Sequence, residues 1–175
     1  MSTAEDKVIK VYGRCACEAL CHCTICRKCS GAPVSHLIGF ANPRCVSVAP
    51  SSFFEANGRD ADVSAADEEA TFAALICHKT SETMCRYSCP HCGSSLVNVS
   101  LLPESAPPGP FRDLPTGILE HDDNGKPIGY ADFAPQAHMF YTRRLADHLD
   151  GLPKFGTYPG TDLVPETDAE PESAA

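Results

Sequence analysis

Cys15-Ala16-Cys17-Glu18-Ala19-Leu20-Cys21-His22-Cys23-Thr24-Ile25-Cys26-Arg27-Lys28-Cys29 places six cysteines within fifteen residues, and Cys89-Pro90-His91-Cys92-Gly93 adds a separate pair. The chain has 175 residues and 11 cysteines, an odd number, and no basic start followed by an apolar run precedes them. A secreted disulfide framework is therefore a poor reading, and thiolate ligation of a metal in a reducing compartment is the better one.

The spacing divides the thiols into two kinds of site. Cys89 and Cys92 stand three positions apart, where two thiolates can hold one metal from a tight turn, and Gly93 can supply the positive φ such a turn needs. A redox Cys-X-X-Cys competes with this reading, but its usual setting at a helix start in a βαβ pattern is missing. Cys15 and Cys17, joined to Cys89 and Cys92, would complete a closed all-cysteine site that serves folding.

The run Cys21, Cys23 and Cys26 supplies three thiolates with no obvious fourth protein ligand, which leaves a coordination position for water or an incoming thiol. Arg27 and Lys28 follow directly, placed either to meet a substrate carboxylate or simply to be solvated. Cys29 is an alternative fourth ligand. Cys45, Cys77 and Cys85 stand alone and read as small buried hydrophobes. His22 and His91 lie inside patterns that the thiolates already fill, and His138 alternates with apolar residues as a strand residue would. An iron-sulfur cluster is a third option, which the pair spacings fit less well.

Outside the cysteines, short apolar runs bounded by Gly, Pro, Ser and Asp predict a mainly β fold. The expected strands are Val8 to Tyr12, Val34 to Phe40, Thr71 to His78, Leu96 to Leu101 and Ala137 to Tyr141, with a helical turn from Cys23 to Cys29. Asn57 to Ala70 and Pro103 to Pro110 read as surface loops. The domain organisation expected is a flexible start at 1–6, one zinc-binding domain over 7–160, and a disordered acidic tail at 161–175, where Pro, Glu, Asp and Ala predominate.

Net charge is −9, with 9 basic and 10 acidic residues in 1–100 against 5 and 13 in 101–175. No long basic face offsets the acid, so neither nucleic acid nor an anionic membrane is an expected partner. No apolar stretch reaches the roughly 18 residues of a membrane span. The expectation is an intracellular, cytoplasmic protein.

The stretches Cys21-His22-Cys23-Thr24-Ile25-Cys26-Arg27-Lys28, Ser30-Gly31-Ala32-Pro33 and Cys89-Pro90-His91-Cys92-Gly93-Ser94 resemble the glutathione-dependent formaldehyde-activating enzyme family, which includes centromere protein V. Ala137-His138-Met139-Phe140-Tyr141 and Asp150-Gly151-Leu152-Pro153-Lys154-Phe155 resemble its closing strand and tail, so the likeness runs from about Val11 to Phe155. It implies an Mss4-like, zinc-bound β-sheet fold with two Zn2+ ions. By resemblance, Cys15, Cys17, Cys89 and Cys92 match the structural zinc ligands, and Cys21, Cys23 and Cys26 match the ligands of the catalytic zinc.

The chain departs from that pattern in one place. The family carries a strand-bearing segment between its first Cys-X-Cys and its Cys-His-Cys group, whereas only Glu18, Ala19 and Leu20 separate Cys17 from Cys21. The two cysteines can be at most about 14 Å apart. A sheet lacking that segment exposes an edge, for which a homodimer is one remedy.

The resemblance implies a zinc-dependent carbon-sulfur lyase related to S-hydroxymethylglutathione synthase. Its substrates would be a small thiol such as glutathione and a small aldehyde, with Cys21, Cys23 and Cys26 at the catalytic metal and Arg27 and Lys28 binding substrate. The alternative is a zinc-stabilised protein-interaction module without catalysis.

Overall fold

A computed structural model describes residues 9–13, 17–43, 46–58 and 61–167, with the side chains of residues 9–13, Cys17 and Ser51 left aside. Strand outweighs helix, as the short apolar runs predict. The chain forms two compact units, one from 1–16 and 39–120 and the other from 17–38 and 121–175.

In the first unit, β1 (Ile9–Gly13) pairs antiparallel with β4 (Val46–Pro50), Val11 opposite Val48. The antiparallel run β5 (Ile76–Ser81), β6 (Met84–Ser88), β7 (Ser95–Ser100) and β8 (Arg112–Pro115) follows in the order of the chain. β7 is buried along most of its length, with Leu96 and Val97 inside, whereas β5 is largely exposed and carries Lys79, a charge that suits a strand at the end of a ladder. Leu75, Cys89 and Leu96 form a core cluster against which Phe72 and Tyr87 pack.

The described residues of this unit include the α-helices α2 (Ser51–Asn57) and α3 (Ala65–Ala73). The second corrects two expectations, the loop at Asn57 to Ala70 and a strand beginning at Thr71. Ser64 caps α3: its side chain accepts a hydrogen bond from the Asp67 backbone N–H at 3.2 Å, and Asp67 and Glu68 occupy the first turn, where carboxylates suit the exposed N–H groups. The polar, acidic run is thus a capped helix start, and the strand begins only at Ile76. Sequence patterning also leaves β4, β6 and β8 without a signal.

Arg112 of β8 ties α3 to β4. Its guanidinium donates to both carboxylate oxygens of Glu68, at 2.6 and 2.8 Å, and to the Val46 carbonyl oxygen at 2.8 Å. The same group lies over the Phe72 ring, 5.3 Å from its centre. Beside it, Asn98 donates to the buried carboxylate of Asp113 across the β7–β8 ladder.

In the second unit, β2 (Cys17–Cys21) runs between β3 (Ser35–Phe40) and β9 (Ala137–Met139) in the strand order. β2 and β9 are parallel, with Leu20 opposite His138 and Cys21 opposite Met139. The three residues between Cys17 and Cys21 therefore form the body of a strand. Between β2 and β3 the chain makes one short helix, α1 (Thr24–Ser30), which Cys23 caps and Gly31 ends in the left-handed region with φ of 67°. Ser35 fixes this corner by donating to the Cys26 carbonyl oxygen at 3.2 Å, with its Oγ 2.8 Å from Ser30 Oγ.

Residues 161–167 depart from the disordered tail expected of 161–175. The Val164 N–H donates to the Lys154 carbonyl oxygen, Phe155 and Leu163 form a β-bridge, and Glu166 meets the buried ammonium of Lys154 at 2.5 Å. Composition hides this because one ion pair and a bridge, rather than apolar burial, hold the segment. Residues 168–175 and 1–6 lie outside the described residues.

Replacing Arg112 by Lys keeps the charge but removes the fork that reaches two carboxylate oxygens and a carbonyl together. Arg112→Lys is expected to lower stability by about 1–3 kcal/mol in chemical denaturation. A variant as stable as the wild type would show that the bidentate contact contributes nothing.

Candidate metal centre

The thiols of Cys21, Cys23 and Cys26 converge because a strand ends where a helix begins. Cys21 is the last residue of β2, Cys23 caps α1, and Cys26 lies one turn into it, so the turn carries the first and third sulfurs back toward each other. Their three Sγ atoms all lie within 4.8 Å of one another. Cys21 and Cys26 are buried, Cys23 is half-buried, and Leu37, Met139 and Phe140 pack around the group.

The donor set suits a metal ion. A dication held tetrahedrally by thiolates at about 2.3 Å would place the sulfurs roughly 3.8 Å apart, within the 4.8 Å that bounds their separations here. Hydrogen bonds to Cys23 and then to Cys26, together with burial, push the Cys21 thiol far above the ordinary range. The reverse bonds from Cys21 and Cys26 hold Cys23 well below it, and the Cys26 backbone N–H adds a bond to Cys23 Sγ at 3.3 Å. The hydrogen bonds among the sulfurs thus favour the thiolate at Cys23 and the thiol at Cys21, and a bound cation favours the ionised form of a ligating thiol.

The neighbouring residues are sorted by the same corner. Arg27 is half-buried and its Nε donates to the His22 carbonyl oxygen at 3.0 Å, so the base of its side chain is fixed beside the thiols. Lys28 and Cys29 are exposed on α1, and Cys29 stays outside the thiol group.

Cys89 and Cys92 occupy the tight turn that their spacing predicts. The Gly93 N–H donates to the Cys89 carbonyl oxygen at 2.9 Å, Gly93 has φ of 73°, and the His91 N–H points at Cys89 Sγ at 3.4 Å. Cys89 is buried and Cys92 exposed. Cys15 and the side chain of Cys17 lie outside the described residues, as does Cys45. Of the other lone cysteines, Cys85 is buried as a small hydrophobe would be, but Cys77 is exposed on β5.

A second polar group was not legible in the sequence. His22 Nε2 and His138 Nδ1 are 2.8 Å apart, and His138 Nε2 lies 2.8 Å from Asp150 Oδ2. Asp150 Oδ1 accepts from Lys154 Nζ at 2.6 Å, and Lys154 reaches on to Glu166. His22 and His138 are fully buried, and burial followed by the charges of His138 and His148 holds the His22 imidazole down to about 4. His138 is legible as an inward strand residue, but a partner 116 residues away has no local signature.

No protein-family model, curated protein or solved structure matches the chain. No helix among the described residues is long and apolar enough to cross a membrane.

Two outcomes follow from these geometries. Cys23→Ser should cost the chain one bound metal ion per molecule, and Cys29→Ser should cost none, by elemental analysis of dialysed protein; equal losses would contradict the three-thiol assignment. The acid response follows from Asp150 and Glu166. Burial alone would raise Asp150, but the hydrogen bonds of Lys154 and His138 outweigh it and depress the carboxyl; Lys154 depresses Glu166. Depressed native values mean that this stabilisation is present above the unfolded values, roughly pH 4, and is lost as pH falls toward the native ones. Both carboxylates are partly exposed, so the effect is modest. Lys154→Met should flatten the fall of stability below about pH 4; an unchanged acid slope would contradict the assignment.

Proposed function

We propose that the chain is a zinc-dependent carbon-sulfur lyase of the glutathione-dependent formaldehyde-activating type, with an Mss4-like fold, acting on the adduct of a small thiol and a small aldehyde. One observation carries the reading: Cys21, Cys23 and Cys26 bring three sulfurs together, and no fourth ligand joins them among the described residues. A three-thiolate set leaves one position for an exogenous ligand, whereas a purely structural thiolate site is closed.

Cys21, Cys23 and Cys26 would hold the zinc, which when bound supplies Lewis acidity that favours the thiolate form of a thiol within reach. In the synthetic direction the thiol loses its proton, its sulfur attacks the carbonyl carbon, the C–S bond forms as the C=O π bond opens, and the oxygen takes up a proton. Cleavage runs the same steps backwards. The half-buried Cys23 is the most open of the three sulfurs to an incoming substrate, and Leu37, Met139 and Phe140 give the group apolar surroundings. Lys28 is exposed on the same helix and Arg27 is anchored through Nε, so their charges can meet the carboxylates of a thiol such as glutathione.

Cys89 and Cys92 supply half of the proposed structural zinc site, with Cys15 and Cys17 as its other half. The competing function, a zinc-stabilised interaction module, needs the thiol centre to be closed. Cobalt substitution separates the two. Glutathione is expected to change the thiolate-to-cobalt band of the wild-type chain, and the zinc-loaded protein is expected to accelerate thiol-aldehyde adduct formation above the uncatalysed rate. An unaltered band with no acceleration across several thiols and aldehydes would overturn the lyase reading and leave the interaction module.

A further inference from the structure

Strand alternation turns neighbouring residues to opposite faces. Cys21 and Met139, paired across β2 and β9, pack with the thiols, whereas His22 and His138 stack on each other with ring centres 5.1 Å apart. Tyr141 and His148 close the histidine side, His148 lying 5.0 Å from the His22 ring and 5.1 Å from that of His138. One nitrogen each of His138 and His148 and one oxygen of Asp150 fall within 4.8 Å of one another.

We propose that His138, His148 and Asp150 form a second metal site, separate from the thiol centre, which takes a divalent first-row transition ion through two imidazole nitrogens and one carboxylate oxygen. This donor set suits zinc, iron(II), cobalt(II) or nickel(II) rather than the harder magnesium or calcium.

The surrounding contacts are those that orient metal ligands. His138 presents Nε2 toward Asp150 while its Nδ1 is held by His22 at 2.8 Å. Asp150 presents Oδ2 while Oδ1 is held by Lys154 at 2.6 Å. The His148 backbone N–H donates to the Tyr141 hydroxyl at 2.7 Å, and that hydroxyl donates to the Glu166 carbonyl oxygen at 2.8 Å. Each ligand is thus steadied through an atom other than the one it offers, as in outer-shell support of metal centres.

Charge agrees with this use. Lys154 is the obvious objection to a cation, yet it is bound by both Asp150 and Glu166, so the trio retains one net negative charge. A dication at about 2.1 Å would spread cis ligands to roughly 3.0–3.4 Å, a few tenths of an ångström beyond the 2.8 Å between His138 Nε2 and Asp150 Oδ2.

A hydrogen-bonded staple without metal would use His22, His138, Asp150 and Lys154 but would give His148 no part. Its ring nitrogens have no hydrogen-bond partner among the described residues, although the ring sits against two buried histidines. Asp150 is exposed and His148 half-buried, which leaves a solvent side for the ion to enter and for water to complete its coordination.

Zinc titration of the 15N-labelled full chain, followed through long-range proton-nitrogen correlations of the imidazoles, tests the proposal without a variant. One nitrogen each of His138 and His148 is expected to move to a metal-bound position, in Cys23→Ser as in the wild type. Unshifted imidazoles at zinc saturation would overturn it. His148→Phe keeps the ring packing and should lower bound zinc by one equivalent, while the cobalt-thiolate band and the far-ultraviolet dichroism stay as in the wild type. A folded His148→Phe chain that binds as much zinc as the wild type would overturn the proposal equally. Because the lyase reading rests on the thiols, its failure and this one are read from different signals.

Discussion

Three sulfurs drawn together at the end of a strand set the terms for the second unit. Cys21 and Cys26 are buried, and hydrogen bonds among the sulfurs hold the Cys21 thiol up and the Cys23 thiol down. Such a cluster would be a poor substitute for apolar packing if stability were its only purpose, since buried sulfur anions oppose one another. The corner is nevertheless built with care: Cys23 caps α1, Gly31 ends it, and Ser35 ties the Cys26 carbonyl to the start of β3. These contacts hold the sulfurs in a metal-ready arrangement before any ion binds, which lowers the ordering cost of ligation.

The strand that delivers Cys21 also delivers His22 to the other face. β2 and β9 therefore present Cys21 and Met139 on one face and His138 on the other, where His22 follows the end of β2, with Cys21 opposite Met139 and Leu20 opposite His138 in the ladder. The soft sulfur donors and the nitrogen-oxygen donors have different metal preferences. Two chemistries can consequently share one short pair of strands without sharing ligands. The Lys154 and Glu166 pair, with the Tyr141 hydroxyl, connects the imidazole face to the end of the described chain.

What was legible in the sequence followed from local rules. Val34 to Phe40 and Leu96 to Leu101 read as strands because apolar residues fill them, and Ser35–Phe40 and Ser95–Ser100 are strands. The Cys23 to Cys29 turn is α1, and the Gly93 turn follows from the small spacing of its cysteines. The grouping of Cys21, Cys23 and Cys26 likewise depends on residues within one turn of each other. What escaped depends on long separations or polar signals. Ser64 and Asp67 announce α3 through a cap rather than a hydrophobic stripe, and Glu166 belongs to the fold only because it meets a lysine twelve residues earlier. His22, His138 and Asp150 come together through the β2–β9 pairing, which no local periodicity encodes.

The most direct test of the account is a proton-cadmium correlation spectrum of the 113Cd-substituted full chain, which identifies the cysteines bound to each ion by coupling to their β-protons. The account predicts one cadmium resonance coupled to the β-protons of Cys21, Cys23 and Cys26 and to no other cysteine. Couplings from those residues to different ions, a fourth cysteine on the same ion, or no coupling at all would contradict an open three-thiolate centre.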